Sequence, residues 1–295
     1  RRVYMDQNLL SGLSDLGLGD LEGLDIYENP GNDKKDGENL TKDGKAVVKE
    51  EDMLFDKSFT CPMCEKVFKS KMVRAGKVRT LESDSDLRPR HENIDTLKYD
   101  IIACPFCGYA GYGKNFMYLT SGQRKAIKDN ICSSFKPKKT ANELPYYTYD
   151  EALERYKLAL VNAIVKHGKT SEKAYICLKT GWLFRGMQEE LSADDPDYEG
   201  KKLEYEQTEN QFLHNAYDGL IKARENETFP IAGMDMFTLD YLLANLAIRF
   251  GEYETGAKLV ANLLAAKGTP GRIKDKARDL KVVIIKKLRE QKVHE

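Results

Sequence analysis

The chain has 295 residues, 41% of them apolar, which is enough to bury a substantial core and is more typical of two structural units than of one. Its 47 basic and 47 acidic side chains cancel, so the net charge predicts no general attraction to nucleic acid or to anionic membranes. The apolar runs are far shorter than the ~18 residues of a membrane span. These properties predict a soluble protein with no membrane partner.

Residues 1–52 form the first region, which contains thirteen acidic and seven basic side chains and many glycines. This composition favours a disordered acidic arm, because it cannot bury enough apolar surface to offset chain entropy. Within it, leucines recur between glycines at Leu10, Leu13, Leu16, Leu18, Leu21 and Leu24. This leucine segment is consistent with a docking peptide for a partner, with docking onto the protein's own helices, or with a flexible tail.

Four of the six cysteines lie in two CPxC knuckles, which contain Cys61 and Cys64, and Cys104 and Cys107. Four thiolates are the number that a tetrahedral metal site needs, and proline presets each turn. The pattern predicts one closed, structural Zn²⁺ site. A rubredoxin-like iron site for electron transfer uses similar knuckles and is the minor alternative. Cys132 and Cys177 stand alone, no apolar export segment follows Arg1 and Arg2, and we therefore expect a reducing, cytoplasmic location.

The knuckles belong to a second region, residues 53–120, which also contains segments of β type at residues 77–81 and 99–103. One of them, residues 99–103, leads directly into the second knuckle, as in a zinc ribbon. The knuckles are separated by 39 residues, more than the ~15 to 20 of compact ribbons, which predicts an inserted hairpin. Glu65 follows the first knuckle where Gly108 follows the second, so the first turn is expected to be slightly strained.

Basic residues follow the first knuckle at Lys66, Lys69, Lys71 and Arg74, and aromatic residues follow the second at Tyr109, Tyr112 and Phe116. Together they are consistent with a surface that grips a nucleic-acid backbone and stacks bases. Alternatively, the lysines offset the charge of the metal centre and the aromatic rings pack around the ribbon.

The most unusual polar stretch is residues 83–90, in which a carboxylate pair, Asp84 and Asp86, precedes a guanidinium pair, Arg88 and Arg90. Each pair shares one face of an extended segment. The four side chains are consistent with a site for an anionic or metal-bearing ligand, with salt bridges to each other, or with a clamp on the helical region.

A basic linker is expected at residues 121–145, and helices fill the third region, residues 146–295. Small and large apolar residues share helix faces, as in tetratricopeptide repeats, and residues 251–257 resemble the turn between the two helices of one repeat. The first helix is predicted to begin at about residue 149. Further helices are predicted at about 171–190, 203–224, 236–250 and 272–292, with a long loop after Pro196. About six antiparallel helices would make a short solenoid with a concave face for a protein or peptide.

An enzyme is not predicted. The four histidines, at positions 91, 167, 214 and 294, are scattered, and the chain has no HExxH, Walker or Rossmann pattern. No catalytic residue is therefore assigned.

Several motifs occur in the order of a known family: Met-Leu-Phe-Asp-Lys before the first knuckle, Ser-Asp-Ser-Asp-Leu-Arg-Pro-Arg between the knuckles, and Cys-Pro-Phe-Cys-Gly-Tyr-Ala at the second. With the helix that contains Tyr156-Lys157-Leu158-Ala159-Leu160, the chain from about residue 53 onward resembles domain-of-unknown-function family 2225 of bacteria. The resemblance implies a cytosolic protein of Gram-positive-type bacteria and brings no activity with it.

The sequence thus predicts an α+β, predominantly α fold, with a zinc-ribbon-like part before a tetratricopeptide-like solenoid. The expected function is a non-enzymatic, zinc-binding adaptor for a protein or peptide partner. A nucleic-acid-associated regulator is the alternative.

Overall fold

The computed structural model describes Asp15, Gly17 and residues 49–138 and 144–293, with side chains up to Gln291. Within these residues, two small antiparallel sheets precede a helical part, which confirms the predicted α+β, mostly α fold. The predictions for the acidic arm and for the leucine segment lie outside the described residues, apart from Asp15, Gly17 and residues 49–52.

Two β-hairpins carry the knuckles at their tips. β1 (Leu54–Thr60) pairs with β2 (Val67–Val73), and β3 (Ile101–Ala103) pairs with β4 (Ala110–Tyr112). Each CPxC sequence occupies the turn of one hairpin, so the pairing of the strands fixes the direction in which each pair of cysteines points. This is the ribbon arrangement that the sequence predicts.

The long spacing between the knuckles is filled by an inserted hairpin, residues 79–92, called the insertion hairpin below. Its two sides are joined by backbone hydrogen bonds from Glu92 N to Arg79 O (3.0 Å) and from Leu81 N to Arg90 O (2.9 Å). The β-type segment predicted at residues 77–81 is reduced to a single bridge between Thr80 and His91. The extended conformation predicted for the aspartate pair is wrong, because residues 84–87 form a turn in which Leu87 N donates to Asp84 O (3.0 Å).

The segment predicted as a linker contains a helix, α1 (Ser121–Ile127), which continues into a π-helical turn, Lys128–Cys132. The helix begins at a capping box in which Thr120 and Gln123 bond each other's backbone N–H. The buried side chains of Ile127 and Ile131 hold this segment against the rest of the protein.

Six helices follow in the described part of the chain: α2 (Tyr149–Val165), α3 (Thr170–Glu190), α4 (Tyr198–Asn226), α5 (Met236–Arg249), α6 (Tyr253–Ala265) and α7 (Gly271–Val293). The predicted helices lie close to these bounds. The turn predicted at residues 251–257 is shorter than expected, because α6 begins at Tyr253. The long loop predicted after Pro196 is wrong, because α4 begins at Tyr198.

Consecutive helices pack against each other, and α3 and α4 form the most extensive pair. Gly181 permits this close approach, since a Cβ at its position would lie 2.8 Å from the Leu213 side chain of α4. None of the helices in the described residues combines the length and apolarity needed to cross a bilayer.

The largest core cluster is continuous from the hairpins into the helices. It begins with Cys61 and Phe68, includes Tyr109 and Phe116 near the second knuckle, and extends through α2, α3, α4 and α5. A second cluster lies between α5, α6 and α7. The end that carries the two knuckles is therefore packed directly onto the helical part.

Candidate functional site: a metal centre and an ion-pair clamp

The four knuckle cysteines converge on one point. All four Sγ atoms lie within 4.8 Å of one another, and the Cys61–Cys107 and Cys64–Cys104 pairs are each 3.6 Å apart. Four sulfurs about 2.3 Å from a central ion in a tetrahedron would lie about 3.8 Å apart. The donor set and its spacing thus fit one tetrahedral metal ion.

The two knuckles have the same backbone geometry. In each, the N–H four residues after the first cysteine donates to that cysteine's carbonyl: Glu65 N to Cys61 O at 2.9 Å and Gly108 N to Cys104 O at 3.1 Å. Both donors adopt left-handed conformations, with φ of 61° at Glu65 and 71° at Gly108. Glutamate carries a steric cost there that glycine avoids, so the first turn has the strain expected from the sequence.

Hydrogen bonds distribute charge among the sulfurs. The backbone N–H of Met63 points at Cys61 Sγ (3.4 Å), and hydrogen bonds from the Cys104 and Cys107 thiols lower the pKa of Cys61. The pKa of Cys107 is raised by its hydrogen bonds with Cys104 and with Cys132. Cys132, which the sequence leaves isolated, therefore lies beside the metal centre as a fifth sulfur.

Residues outside the ribbon hold the second knuckle in place. The buried Asn162 side chain of α2 donates from Nδ2 to Gly108 O (2.9 Å). The Phe135 ring covers Gly108 so closely that a Cβ there would lie 2.4 Å from it. At the first knuckle, Arg124 of α1 donates to the carbonyl of Pro62. The helical part thus fixes the position of both turns.

The chemistry of the centre follows from its ligands. Three of the four cysteines are buried and Cys64 is half-buried. Four thiolates fill a tetrahedral shell, which leaves no coordination position for water or substrate. Tetrahedral sulfur ligation suits zinc or iron, so the geometry defines a Cys₄ metal site without choosing between these ions.

Three of the four basic residues after the first knuckle contact other groups of the ribbon. The Lys66 ammonium lies over the Phe106 ring (5.0 Å), and Lys71 pairs with Asp56 (3.6 Å). Arg74 donates from Nε to the carbonyl of Leu54 (2.8 Å), and Lys69 is exposed. The nucleic-acid contacts predicted for these four side chains stay a prediction.

The aromatic residues proposed for base stacking are in the interior. Tyr109 and Phe116 are 2% and 1% exposed, and the Tyr109 hydroxyl donates to Phe116 O (2.8 Å). Tyr112 packs between Tyr156 and Tyr175. The stacking interpretation is therefore wrong for Tyr109 and Phe116, because rings buried in the core offer no face to a base.

The insertion hairpin carries the second functional cluster, which joins it to α3. Asp86 is 3% exposed and accepts two hydrogen bonds from Arg185, at 2.6 and 3.0 Å, and one from Trp182 Nε1 at 2.9 Å. Burial opposes ionisation of Asp86, but hydrogen bonds and the charge of Arg185 hold its pKa below the ordinary value. Asp84 also accepts from Arg185, at 3.0 Å.

The guanidinium pair contacts α3 through Glu189. Arg88, also 3% exposed, donates to Glu189 (3.0 Å) and to Asp95 (3.2 Å). Arg90 donates to the other oxygen of Glu189 (2.5 Å) and lies 3.4 Å from Asp84. All four side chains singled out in the sequence thus meet in one ion-pair cluster, called the clamp below.

Sequence reasoning missed the helical half of the clamp, which consists of Trp182, Arg185 and Glu189 on α3 and Tyr241 on α5. The first three share one face of α3 at helical spacing. Tyr241 donates from its hydroxyl to the backbone carbonyl of Ser85 (2.7 Å). These side chains are called the α3–α5 face below. Their partners are distant in the sequence, so no local signal identifies them.

Neither a curated protein nor a solved structure matches the chain. A family assignment comes from the sequence profile that covers both knuckles, the insertion hairpin and the helices through most of α7. The chain belongs to the family described as an uncharacterized protein conserved in bacteria (DUF2225), whose profile matches residues 54–284.

Proposed function

We propose that the protein is a non-enzymatic adaptor of the bacterial cytoplasm, in which a structural zinc ion stabilises the ribbon and the helical part binds a protein or peptide partner. The observation that carries this proposal is the α3–α5 face, which already holds a loop of polypeptide, the turn at residues 84–87.

The structural role of the ion is supported by the closed, mostly buried shell of cysteines. Zinc suits such a shell because it has no redox chemistry and prefers four tetrahedral ligands. With every ligand position filled by sulfur, the ion's contribution is to folding, and the function belongs to other surfaces.

Peptide binding is supported by the type of contact that the α3–α5 face makes. Arg185 and Trp182 bind a side-chain carboxylate, while Tyr241 binds a backbone carbonyl. Contacts to both the main chain and a side chain are the means by which a protein surface recognises a peptide segment. The packing of each helix against the next along the chain agrees with our tetratricopeptide-like interpretation.

The metal assignment is tested by elemental analysis of the purified protein. We expect about one zinc ion per chain, as for a single Cys₄ site. The Cys61→Ser variant should lose it, whereas Cys177→Ser, which changes a buried cysteine of α3, should retain it. One iron ion per chain with a visible absorption band would instead support the rubredoxin-like alternative.

The partner is tested by photo-crosslinking of the full chain in cells. A photoreactive side chain at the exposed Ser192, just after α3, should yield a discrete product, whereas one at the exposed Lys258 on α6 should not. Identical products from both positions, or none from Ser192, would contradict the proposal. Crosslinked nucleic acid, with an affinity that falls steeply with salt, would instead support the regulator alternative.

A further inference from the structure

We infer that the α3–α5 face is a carboxylate-reading peptide site whose ligand is an acidic peptide of the type Asp-x-Asp-Leu, and that the insertion hairpin occupies this site as an internal ligand. This inference rests on the proposed function and deepens it by naming the class of partner.

The carboxylate pocket is the most specific part of the site. Arg185 approaches both oxygens of Asp86, Trp182 adds a third donor, and Arg185 also reaches Asp84. A planar guanidinium opposite a carboxylate selects an acidic side chain over an amide, because its charge and paired donors are matched only by an anion. Two acidic residues separated by one residue are thus read by one arginine.

The pocket keeps a counter-charge when its ligand leaves. Arg185 also donates from Nε to Glu209 of α4 (2.8 Å), and Glu209 in turn pairs with Arg249 of α5 (2.9 Å). When Asp86 leaves the pocket, Arg185 therefore stays paired with the carboxylate of Glu209. An emptied site can persist in the folded protein, as a site that exchanges ligands requires.

Two further contacts define the rest of the ligand. Tyr241 reads the carbonyl of Ser85, which any residue offers at that position. Leu87 packs against both the main core and the α5–α7 cluster. The internal ligand is a turn closed by the N–H of Leu87, which donates to Asp84 O (3.0 Å), so the ligand is a segment that can form this turn and has an apolar side chain directly after the second aspartate.

The insertion hairpin fits the site imperfectly. Leu87 has φ of 70°, a left-handed conformation that is unfavourable for a leucine. Among the described residues, the buried atoms Ser83 Oγ and Arg88 Nε find no hydrogen-bond partner. The left-handed residue closes the turn at residues 84–87, and the cost of this conformation weakens the internal ligand.

Competition between the two ligands determines the observed affinity. A tethered segment acts at an effective concentration on the order of millimolar, so a free peptide binds weakly while the insertion hairpin is in place. A substitution that weakens the internal ligand should therefore strengthen the binding of the free one.

The test is fluorescence anisotropy with a labelled peptide that has the sequence of residues 82–89. We expect the full-length Asp86→Ala protein to bind it at least tenfold more tightly than the wild type does. The Glu82→Ala protein, which removes an exposed carboxylate from the same hairpin, should behave as the wild type does. A peptide with asparagine in place of the second aspartate should not bind.

A double variant tests the pocket itself. Adding Trp182→Phe to Asp86→Ala removes one N–H donor and keeps an aromatic ring, and should weaken peptide binding about tenfold, as loss of a hydrogen bond to a charged group does. Folding of each variant is checked by circular dichroism. If the Asp86→Ala protein does not fold, hydrogen exchange of the wild-type protein is measured instead. Excess peptide should then accelerate exchange at residues 81–90, because it displaces the insertion hairpin.

The inference is overturned if folded Asp86→Ala protein does not bind the peptide at millimolar concentration, if Trp182→Phe has no effect, or if exchange at residues 81–90 is unchanged by the peptide. A crosslinked partner at Ser192 combined with no peptide binding would refute only this inference. Peptide binding without any crosslinked partner in cells would refute only the adaptor function.

Discussion

The two ends of this protein reach stability by different means. The ribbon has strands of seven and three residues and places four sulfurs in its interior, whereas the helical part buries leucine and alanine along α2 to α7. Two-stranded hairpins are only marginally stable in water on their own. Amphipathic helices that pack against each other gain more stability, because they bury their apolar faces. In the proposed function the ribbon would therefore depend on an ion, whereas the helices depend on apolar burial.

Because of this difference, a single substitution should have different effects in the ribbon and in the helical part. A metal ion concentrates the stabilisation of the ribbon in four ligands, so a single change there should have a large effect. Burial in the helical part is distributed over many side chains, so each one contributes a smaller share. Because the core is continuous between the two ends, experiments can measure how far a change at one end affects the stability of the other.

Removal of the metal should have the largest effect. Structural zinc sites of small domains contribute on the order of 10 kcal/mol to folding. A strong chelator should therefore accelerate hydrogen exchange in β1 to β4 by several orders of magnitude, measured by mass spectrometry, while α5 to α7 remain protected. Equal acceleration in all seven helices would show that the two ends form one cooperative unit.

Truncation in the helical core should have the next largest effect. Leu263 of α6 is 1% exposed in the α5–α7 cluster, and Leu263→Ala should lower the free energy of unfolding by about 2 to 5 kcal/mol because it leaves a cavity. Leu203→Ala, at a position 55% exposed on α4, is the control and should cost less than about 0.5 kcal/mol. Urea unfolding measures both. Zinc content should not change, and loss of zinc in Leu263→Ala would contradict the separation of the two ends.

A smaller effect is expected at the turns of the knuckles. Gly108→Ala places a Cβ in a left-handed residue and against Phe135, and should cost on the order of 2 kcal/mol. Glu65→Gly relieves the matching strain in the first knuckle and should stabilise the protein by about 0.5 to 1 kcal/mol. Thermal unfolding of the zinc-loaded variants gives both signs. A stabilising Gly108→Ala would refute the proposed role of the turn.

The smallest effect concerns pH in the helical part. A hydrogen bond from His214 to Asp218 raises the pKa of His214 above 6.5, and Glu252 adds to the shift, while the Phe250 ring covers the imidazole. Protonated His214 therefore stabilises the folded state fully below pH 6.5, and this contribution is lost as the pH rises through the raised pKa. The difference in urea midpoint between wild type and His214→Gln should shrink as the pH rises from about 6 to 8. A difference that grows with pH would contradict this assignment.

Much of the fold was predictable from local patterns. The helices after residue 148 have apolar residues at helical spacing, and their observed bounds lie close to the predicted ones. The four metal ligands were predictable because each pair lies within four residues, so their spacing alone indicates the chemistry. The left-handed turn at Glu65 was predictable by comparison with Gly108.

Other features depend on information that lies elsewhere in the chain. α1 had a local signal, the capping box of Thr120 and Gln123, which the basic charges of the segment obscured. The burial of Tyr109 and Phe116 was not predictable, since an aromatic residue near lysines fits a core or a surface equally well. The partners of Asp86 lie about a hundred residues away, and only the folded chain brings Arg185 to it.

The position of the insertion hairpin between the knuckles couples the proposed ion to the clamp. An ion that joined Cys64 to Cys104 would close a loop of 39 residues, and the entropy of that closure amounts to about 3 kcal/mol. With the loop closed, less chain entropy would be lost when the hairpin docks onto α3. In a chain without metal, the same ion pairs would have to restrict the whole segment themselves, and docking of the hairpin would be weaker.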